Sequence, residues 1–230
     1  MDDRTADTLP ACDRLRTPDS LHEPDMRHGM FSRPAPGGGF EPLTAAAHVA
    51  DVAAFELDAR VPEAVRIHFE TARNLYAYAW FVYRFYPVAQ QHALASLEFA
   101  LRERLSGELL DTKRRMGLSN WLQLAKQRGV IANERFSWRA AHAMQRARVR
   151  AELQLLDEMQ RNGLTVARLD SIDVTPLPED ADEDWLGTFI ATLPRIRNEL
   201  AHGSSHLHDA VLRTFEIVRE LIDQLFTPPR

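Results

Sequence analysis

Downstream of Pro62 the large apolar residues of this chain recur at three- and four-residue steps, the period of a helix with one buried face. That single pattern restricts the fold to packed helices. Pro62 suits the first turn of a helix running to about Tyr86 and ended by Pro87. Phe69, Tyr76, Trp80, Phe81, Tyr83 and Phe85 surround this helix on more than one face, which makes it central. A second helix, from about Val88 to Ser106, places Leu94, Leu97, Leu101 and Leu105 on one side with Gly107 past its end, and the two read as an antiparallel hairpin. Ser119 is an N-cap for a short helix ending before Gly129, and Asn133 for a long one reaching Asn162, with Gly163 after it. Residues 164 to 182 form a connection, and five acidic residues from Glu179 to Asp184 precede a helix starting near Glu183, where negative charge suits an N-terminus. Leu186, Phe189 and Leu193 carry that segment forward. Ser204 or Ser205 can cap a last helix through Phe226, with Val211, Phe215, Val218, Leu221, Ile222 and Leu225 as its apolar side. The expected fold class is all-α, a bundle of five or six helices over about residues 62 to 226.

The chain has 230 residues, enough for one sizeable core with a tail. Residues 1 to about 42 are rich in Pro, Gly, Asp and Arg, with Gly37-Gly38-Gly39 between Pro36 and Pro42, and show no sustained period. They read as a disordered tail. Thr44 before Ala45-Ala46-Ala47 starts a short helix to about Leu57, anchored by Phe55 and Leu57. The division expected is residues 1–61 as a mostly disordered tail and 62–230 as the helical domain. A formal charge of −5 argues against a broad basic surface, so any nucleic-acid contact must be a local patch. The one cysteine, Cys12, cannot form an intramolecular disulfide. With no apolar run long enough for a membrane span and an opening Met1-Asp2-Asp3, a cytoplasmic protein is expected.

The residues that carry chemistry lie in Leu193-Pro-Arg-Ile-Arg-Asn-Glu-Leu-Ala-His-Gly203. Proline is favoured in a first helical turn and glycine just past a last one, so Pro194 and Gly203 bracket one short helix. With Ile196 set at zero on a wheel of about 100° per residue, Leu193 and Leu200 fall near about 60° and 40°, whereas His202, Arg195 and Asn198 fall near about 240°, 260° and 200°. The histidine points off the apolar stripe. A polar face near a helix C-terminus is commonly just solvated, because Arg and His suit the dipole there. The same groups also make a metal-free set for cleaving a phosphodiester. An imidazole near its ordinary pKa moves protons at neutral pH, a guanidinium matches phosphate oxygens and the charge that builds on them, and Asn198 can orient the ring or the substrate. One helix supplies one histidine, so a two-proton mechanism needs a second copy across a two-fold axis.

Arg197-Asn198-Glu199-Leu200-Ala201-His202-Gly203 resembles the signature of the HEPN superfamily (higher eukaryotes and prokaryotes nucleotide-binding), an Arg followed four to six residues later by His, often with Asn directly after the Arg. Arg195 also satisfies that spacing. The resemblance implies an all-helical, commonly dimeric protein of a family rich in metal-independent endoribonucleases of toxin–antitoxin, antiphage and RNA-processing systems. It implies Arg197, Asn198 and His202 as catalytic residues meeting their symmetry mates in a dimer cleft, with Arg195 as the rival arginine. Where a toxin subgroup has Tyr two places after the His, this chain has Ser204, so modification of that tyrosine is not available as a control.

Elsewhere, Arg139, His142, Arg146 and Arg150 follow at three and four residue steps on the long helix and form a basic stripe, the candidate RNA-backbone contact, although charged stripes are more often plain solvated faces. His202, His206 and His208 invite a metal reading, but Gly203 breaks their spacing and no cysteine or acidic cluster completes a ligand set. No metal and no cofactor is expected. The functional expectation is a metal-independent endoribonuclease, a homodimer acting on RNA, with an antitoxin or other regulatory protein as partner. The alternative is a non-catalytic helical module of the same family that binds a nucleotide or a partner protein.

Overall fold

The computed structural model describes residues 9–108, 116–166, 174–201 and 211–228. Its α-helices are α1 (Ala45–Ala53), α2 (Glu63–Tyr78), α3 (Phe85–Leu105), α4 (Leu118–Gln127), α5 (Arg139–Asn162), α6 (Trp185–Ala201) and α7 (Leu212–Phe226). The all-α class follows from the sequence periods, and the only strands among the described residues are β1 (Ser32–Pro34) and β2 (Phe40–Pro42). The middle of the bundle is α3, which packs against α2, α4, α6 and α7. Leu94, Leu97, Leu101 and Leu105 are buried as their spacing requires, and Tyr86, Ala89, Ala93 and Ala100 are buried on other sides of the same helix. A leucine in such a place contributes roughly 2 kcal/mol by leaving water. The apolar side of α7 (Val211, Phe215, Val218, Leu221, Ile222 and Leu225) is buried as expected.

Several boundaries differ from the sequence reading. The helix expected from Pro62 to Tyr86 stops at Tyr78, and the chain turns through 79–84 before α3 begins at Phe85. Pro87 therefore lies in the first turn of α3, where a missing N–H leaves no bond unmade, rather than ending a helix. Asn133 does not cap the long helix. It sits in a 3-10 turn (Asn133–Arg135), and α5 starts at Arg139 behind Trp138. Gly163 does end α5, with a left-handed φ of 63° that glycine adopts without strain. Gly117 rather than Ser119 precedes α4. Ser204 and Ser205 lie outside the described residues.

The largest departure is the N-terminal segment, which is folded onto the helices from residue 9 rather than disordered. Gly37-Gly38-Gly39 makes a hairpin turn, with Gly38 and Gly39 at positive φ (90° and 80°), and it joins β1 to β2 in the register Arg33↔Glu41. Asp25 inserts into the 79–84 turn, its N–H donating to Trp80 O at 2.9 Å and its carboxylate accepting from Tyr83 N at 3.2 Å and Arg27 Nη2 at 2.7 Å. Burial opposes ionisation of this carboxyl, yet the bonds from Arg27 and from the Arg27 and Tyr83 amides outweigh it and hold the pKa at about 2. His28 and His48, both buried, place Nε2 at 3.1 Å from Ala79 O and 2.8 Å from Tyr76 O, so two imidazoles meet carbonyls at the end of α2, where Tyr76 O also accepts from Ala79 N at 3.0 Å. His28 stacks on Trp80 and His48 on Tyr76, with ring centroids 4.6 and 4.5 Å apart. Thr44 caps α1 by accepting from Ala47 N.

Burial lowers the pKa of His48 and of His92, and burial together with the neighbouring His92 and Arg102 lowers that of His68; the His68 and His92 rings stack 4.2 Å apart between α2 and α3. All three are harder to protonate in the folded chain than in the unfolded chain, where an imidazole titrates at about pH 6.5. Stability is therefore full above that range and falls as the pH drops through it. The urea midpoint is expected to be lower at pH 5 than at pH 7, and His48→Asn, while weaker at pH 7, should lose less over that interval than wild type. Asp25→Ala should cost roughly 3 kcal/mol at neutral pH, because it removes the buried acceptor of the Arg27 guanidinium and of the Arg27 and Tyr83 amides and leaves Arg27 with Asp13 as its remaining carboxylate.

Candidate active site

Helix α6 carries the motif and is fixed at its start by three other residues. Asp184 accepts from Gly187 N at 2.9 Å, Asn133 Nδ2 at 2.9 Å and Lys126 Nζ at 3.0 Å, and these donors, Asn133 foremost, hold its pKa at about 2. Asn133 Oδ1 in turn accepts from Leu186 N at 2.9 Å. Trp185, Leu186, Phe189 and Leu193 form the buried side, which packs on α4 and α3. Pro194 lies inside this helix instead of starting a short one. A proline donates no N–H, so the Ile190 carbonyl one turn earlier loses its usual partner and the helix is held together here by packing.

The structure separates the two candidate arginines. Arg195 points outward, its side chain 76% exposed, with Nε 3.6 Å from Glu199 Oε1 on the same helix. Arg197 lies at the edge of the apolar stripe, 40% exposed, and its Nη2 is 3.4 Å from Glu98 Oε2 of α3, a carboxylate only 16% exposed. The other end of its fork, Nη1, donates to Asn198 Oδ1 at 3.3 Å. The structure thus brings Arg197, Asn198 and Glu98 together and leaves Arg195 apart. His202, His206, His208 and Gly203 lie outside the described residues. Sequence reading missed Glu98, although an acid set between Leu97 and Leu101 on the leucine side of a helix is a signal that a charged partner faces it.

The basic stripe of α5 meets the acidic stretch before α6. His142 Nδ1 is 3.4 Å from Glu183 Oε2, close enough for attraction but not aligned as a hydrogen bond, and Arg146 Nη1 is 3.6 Å from the same oxygen. Arg150 Nη2 donates to Asp180 Oδ2 at 2.7 Å and to Thr175 O at 3.1 Å. The Asp180 side chain is nearly buried, and the Arg150 bond is the largest cause of its lowered pKa. Three members of the stripe therefore face the chain's own acids, while Arg139 at the helix start is half-buried. Beside and within the stripe α5 also exposes Val149, Leu153 and Leu156.

Two other polar clusters were not legible beforehand. His68 Nδ1 is 2.7 Å from Ser96 Oγ, and Ser96 Oγ donates to His92 O at 2.9 Å, but Ser96 is wholly buried and reaches no substrate. A cavity of about 850 Å³ lies between Arg60, Arg135, Phe136, Arg219 and Asp223, and Arg195, Arg197 and Asn198 do not line it. Among the described residues no three potential metal ligands gather, and no helix is long and apolar enough to cross a membrane. No protein family, curated protein or solved structure matches the chain.

If Arg150 holds the 174–184 connection against α5, Arg150→Ala should lower stability by about 2 kcal/mol, the scale of a charged hydrogen bond lost from a nearly buried partner. Arg139→Ala should change it by less than about 0.5 kcal/mol. Urea midpoints of the two variants check this.

Proposed function

We propose that the chain is a metal-independent endoribonuclease of HEPN type, in which the 2′ hydroxyl of RNA attacks the adjacent phosphorus and the 5′ oxygen leaves. His202 serves as general acid or base, Arg197 meets the charge that builds on the phosphate oxygens, Asn198 positions the group, and Arg195 stands at the rim. The observation that supports this reading is the pairing of Arg197 with Asn198 on α6, with the guanidinium steadied by α3 rather than loose in solvent like Arg195. A flexible guanidinium would have to be ordered at the moment of reaction, and a tethered one less so.

Because the motif supplies one histidine per chain, the reading includes a homodimer that shares the cleft. Arg139, His142, Arg146 and Arg150 are the proposed contacts to the RNA backbone, in competition with Glu183 and Asp180. An antitoxin or other regulatory protein, a role in toxin–antitoxin, antiphage or stress-response systems, and a cytoplasmic location belong to the same proposal. The second reading, a non-catalytic helical module that binds a nucleotide or partner protein, draws support from one contact. Glu98 already neutralises Arg197, as it would in a helix pair kept for packing.

Incubation of the pure protein with RNA in excess chelator separates the two. Cleavage leaving cyclic phosphate ends supports the enzyme, and inactivity together with tight partner binding supports the module. In the active case His202→Ala should lower cleavage by about 10²- to 10⁴-fold, the range of general acid–base groups. Arg197→Ala should cost on the order of 10²-fold or more and Arg195→Ala less. An inactive Arg195→Ala beside an active Arg197→Ala would reverse the assignment.

A further inference from the structure

We propose that Glu98 of α3 is the positioning residue for Arg197, an inference that rests on the ribonuclease reading and extends it to a second helix. An acid at an anion-binding site calls for a reason, since its charge repels phosphate. Packing alone supplies a weak one, because an ion pair with a partly exposed arginine adds little to stability. The carboxylate is nevertheless kept at 16% exposure, on the side of α3 that faces α6, next to the fully buried Leu94, Leu97 and Leu101. It meets Arg197 through one oxygen and one nitrogen, Oε2 and Nη2, at 3.4 Å. That single contact occupies one corner of a guanidinium that carries five N–H donors, while Nη1 turns to Asn198. Two anchors at the two Nη atoms fix the plane of the fork.

Glu98 therefore raises both kinetic constants, with opposite consequences for catalytic efficiency. By orienting the fork it aids the step in which charge builds on phosphate, and by its own charge it weakens binding of the anionic ground state. A packing role would show neither effect separately from stability.

The test uses the full chain on one RNA in chelator, comparing wild type, Glu98→Gln, Glu98→Asp, Arg197→Ala and the Glu98→Gln/Arg197→Ala double variant. Circular dichroism and urea midpoints serve as controls for folding. Expected for Glu98→Gln is a kcat lower by about 10- to 100-fold, the scale of a misplaced group at a reacting centre, with KM unchanged or smaller. Glu98→Asp, which keeps the charge one methylene short, should recover part of the loss. The double variant should be no slower than Arg197→Ala, because the carboxylate acts only through the guanidinium. A Glu98→Gln enzyme with wild-type kcat overturns the inference and leaves the ribonuclease reading standing, as does a double variant in which the two losses multiply. A folded wild type that cleaves no RNA sinks the ribonuclease reading itself, and the inference with it.

Discussion

The structure depends on one constraint, the burial of α3 on several sides at once. A helix covered by α2, α4, α6 and α7 has little solvated surface, so the polar groups it turns inward are held mainly by partners on neighbouring elements. Gln90 Nε2 donates to Thr214 Oγ1 of α7 at 2.9 Å, both buried. Ser96 meets His68 of α2, Glu98 meets Arg197 of α6, and Arg104 Nε donates to Leu225 O near the end of α7. Apolar packing tolerates sliding of one helix along another, whereas each of these bonds fixes a register. The motif helix is one of the elements placed in this way.

How far the fold could be read in advance follows from the same physics. The period of Leu94, Leu97, Leu101 and Leu105 reports burial directly, and those four side chains are buried. Boundaries were harder, because proline at 87 and asparagine at 133 are equally at home at a helix end and inside a turn. The N-terminal segment was misread for a deeper reason. Its docking uses few aliphatic residues and relies on Asp25, Arg27, His28 and His48, polar groups that composition assigns to solvent. Stacked imidazoles and a carboxylate with backbone donors leave no periodic trace, since their partners at Tyr76, Ala79, Trp80 and Tyr83 come from more than 25 residues further along the chain.

At the candidate site the helical wheel and the motif point to different arginines. Arg197 falls at about 100°, near Leu193 and Leu200 and about 140° from His202, whereas Arg195 lies about 20° from His202, so helix geometry alone favours Arg195 and the family resemblance favours Arg197. The structure shows the physical meaning of the Arg197 angle, since a side chain beside the apolar stripe is turned toward the body of the protein and reaches α3. The wheel could not say what waits there, because Glu98 is separated from the motif by almost 100 residues. The stripe on α5 was legible as a stripe for the same local reason. Its partners Asp180 and Glu183, which decide whether it is a binding face or an internal clamp, are set by tertiary packing.

A common thread runs through the charged groups. In a chain of net charge −5, Arg27, Arg146, Arg150, Arg197 and Arg219 each stand against an acid of the same molecule. Such pairing suppresses the long-range field that draws polyanions to a basic surface, so non-specific attraction to nucleic acid is small. An RNA engaging α5 or α6 has to exchange a carboxylate for a phosphate at each arginine. That exchange is close to neutral in charge and rewards geometry, because a phosphate that accepts two parallel N–H bonds gains what a single 3.4 Å contact to Glu98 does not supply. On the ribonuclease reading proposed above, the internal pairing thus favours a shaped phosphodiester over bulk polyanion.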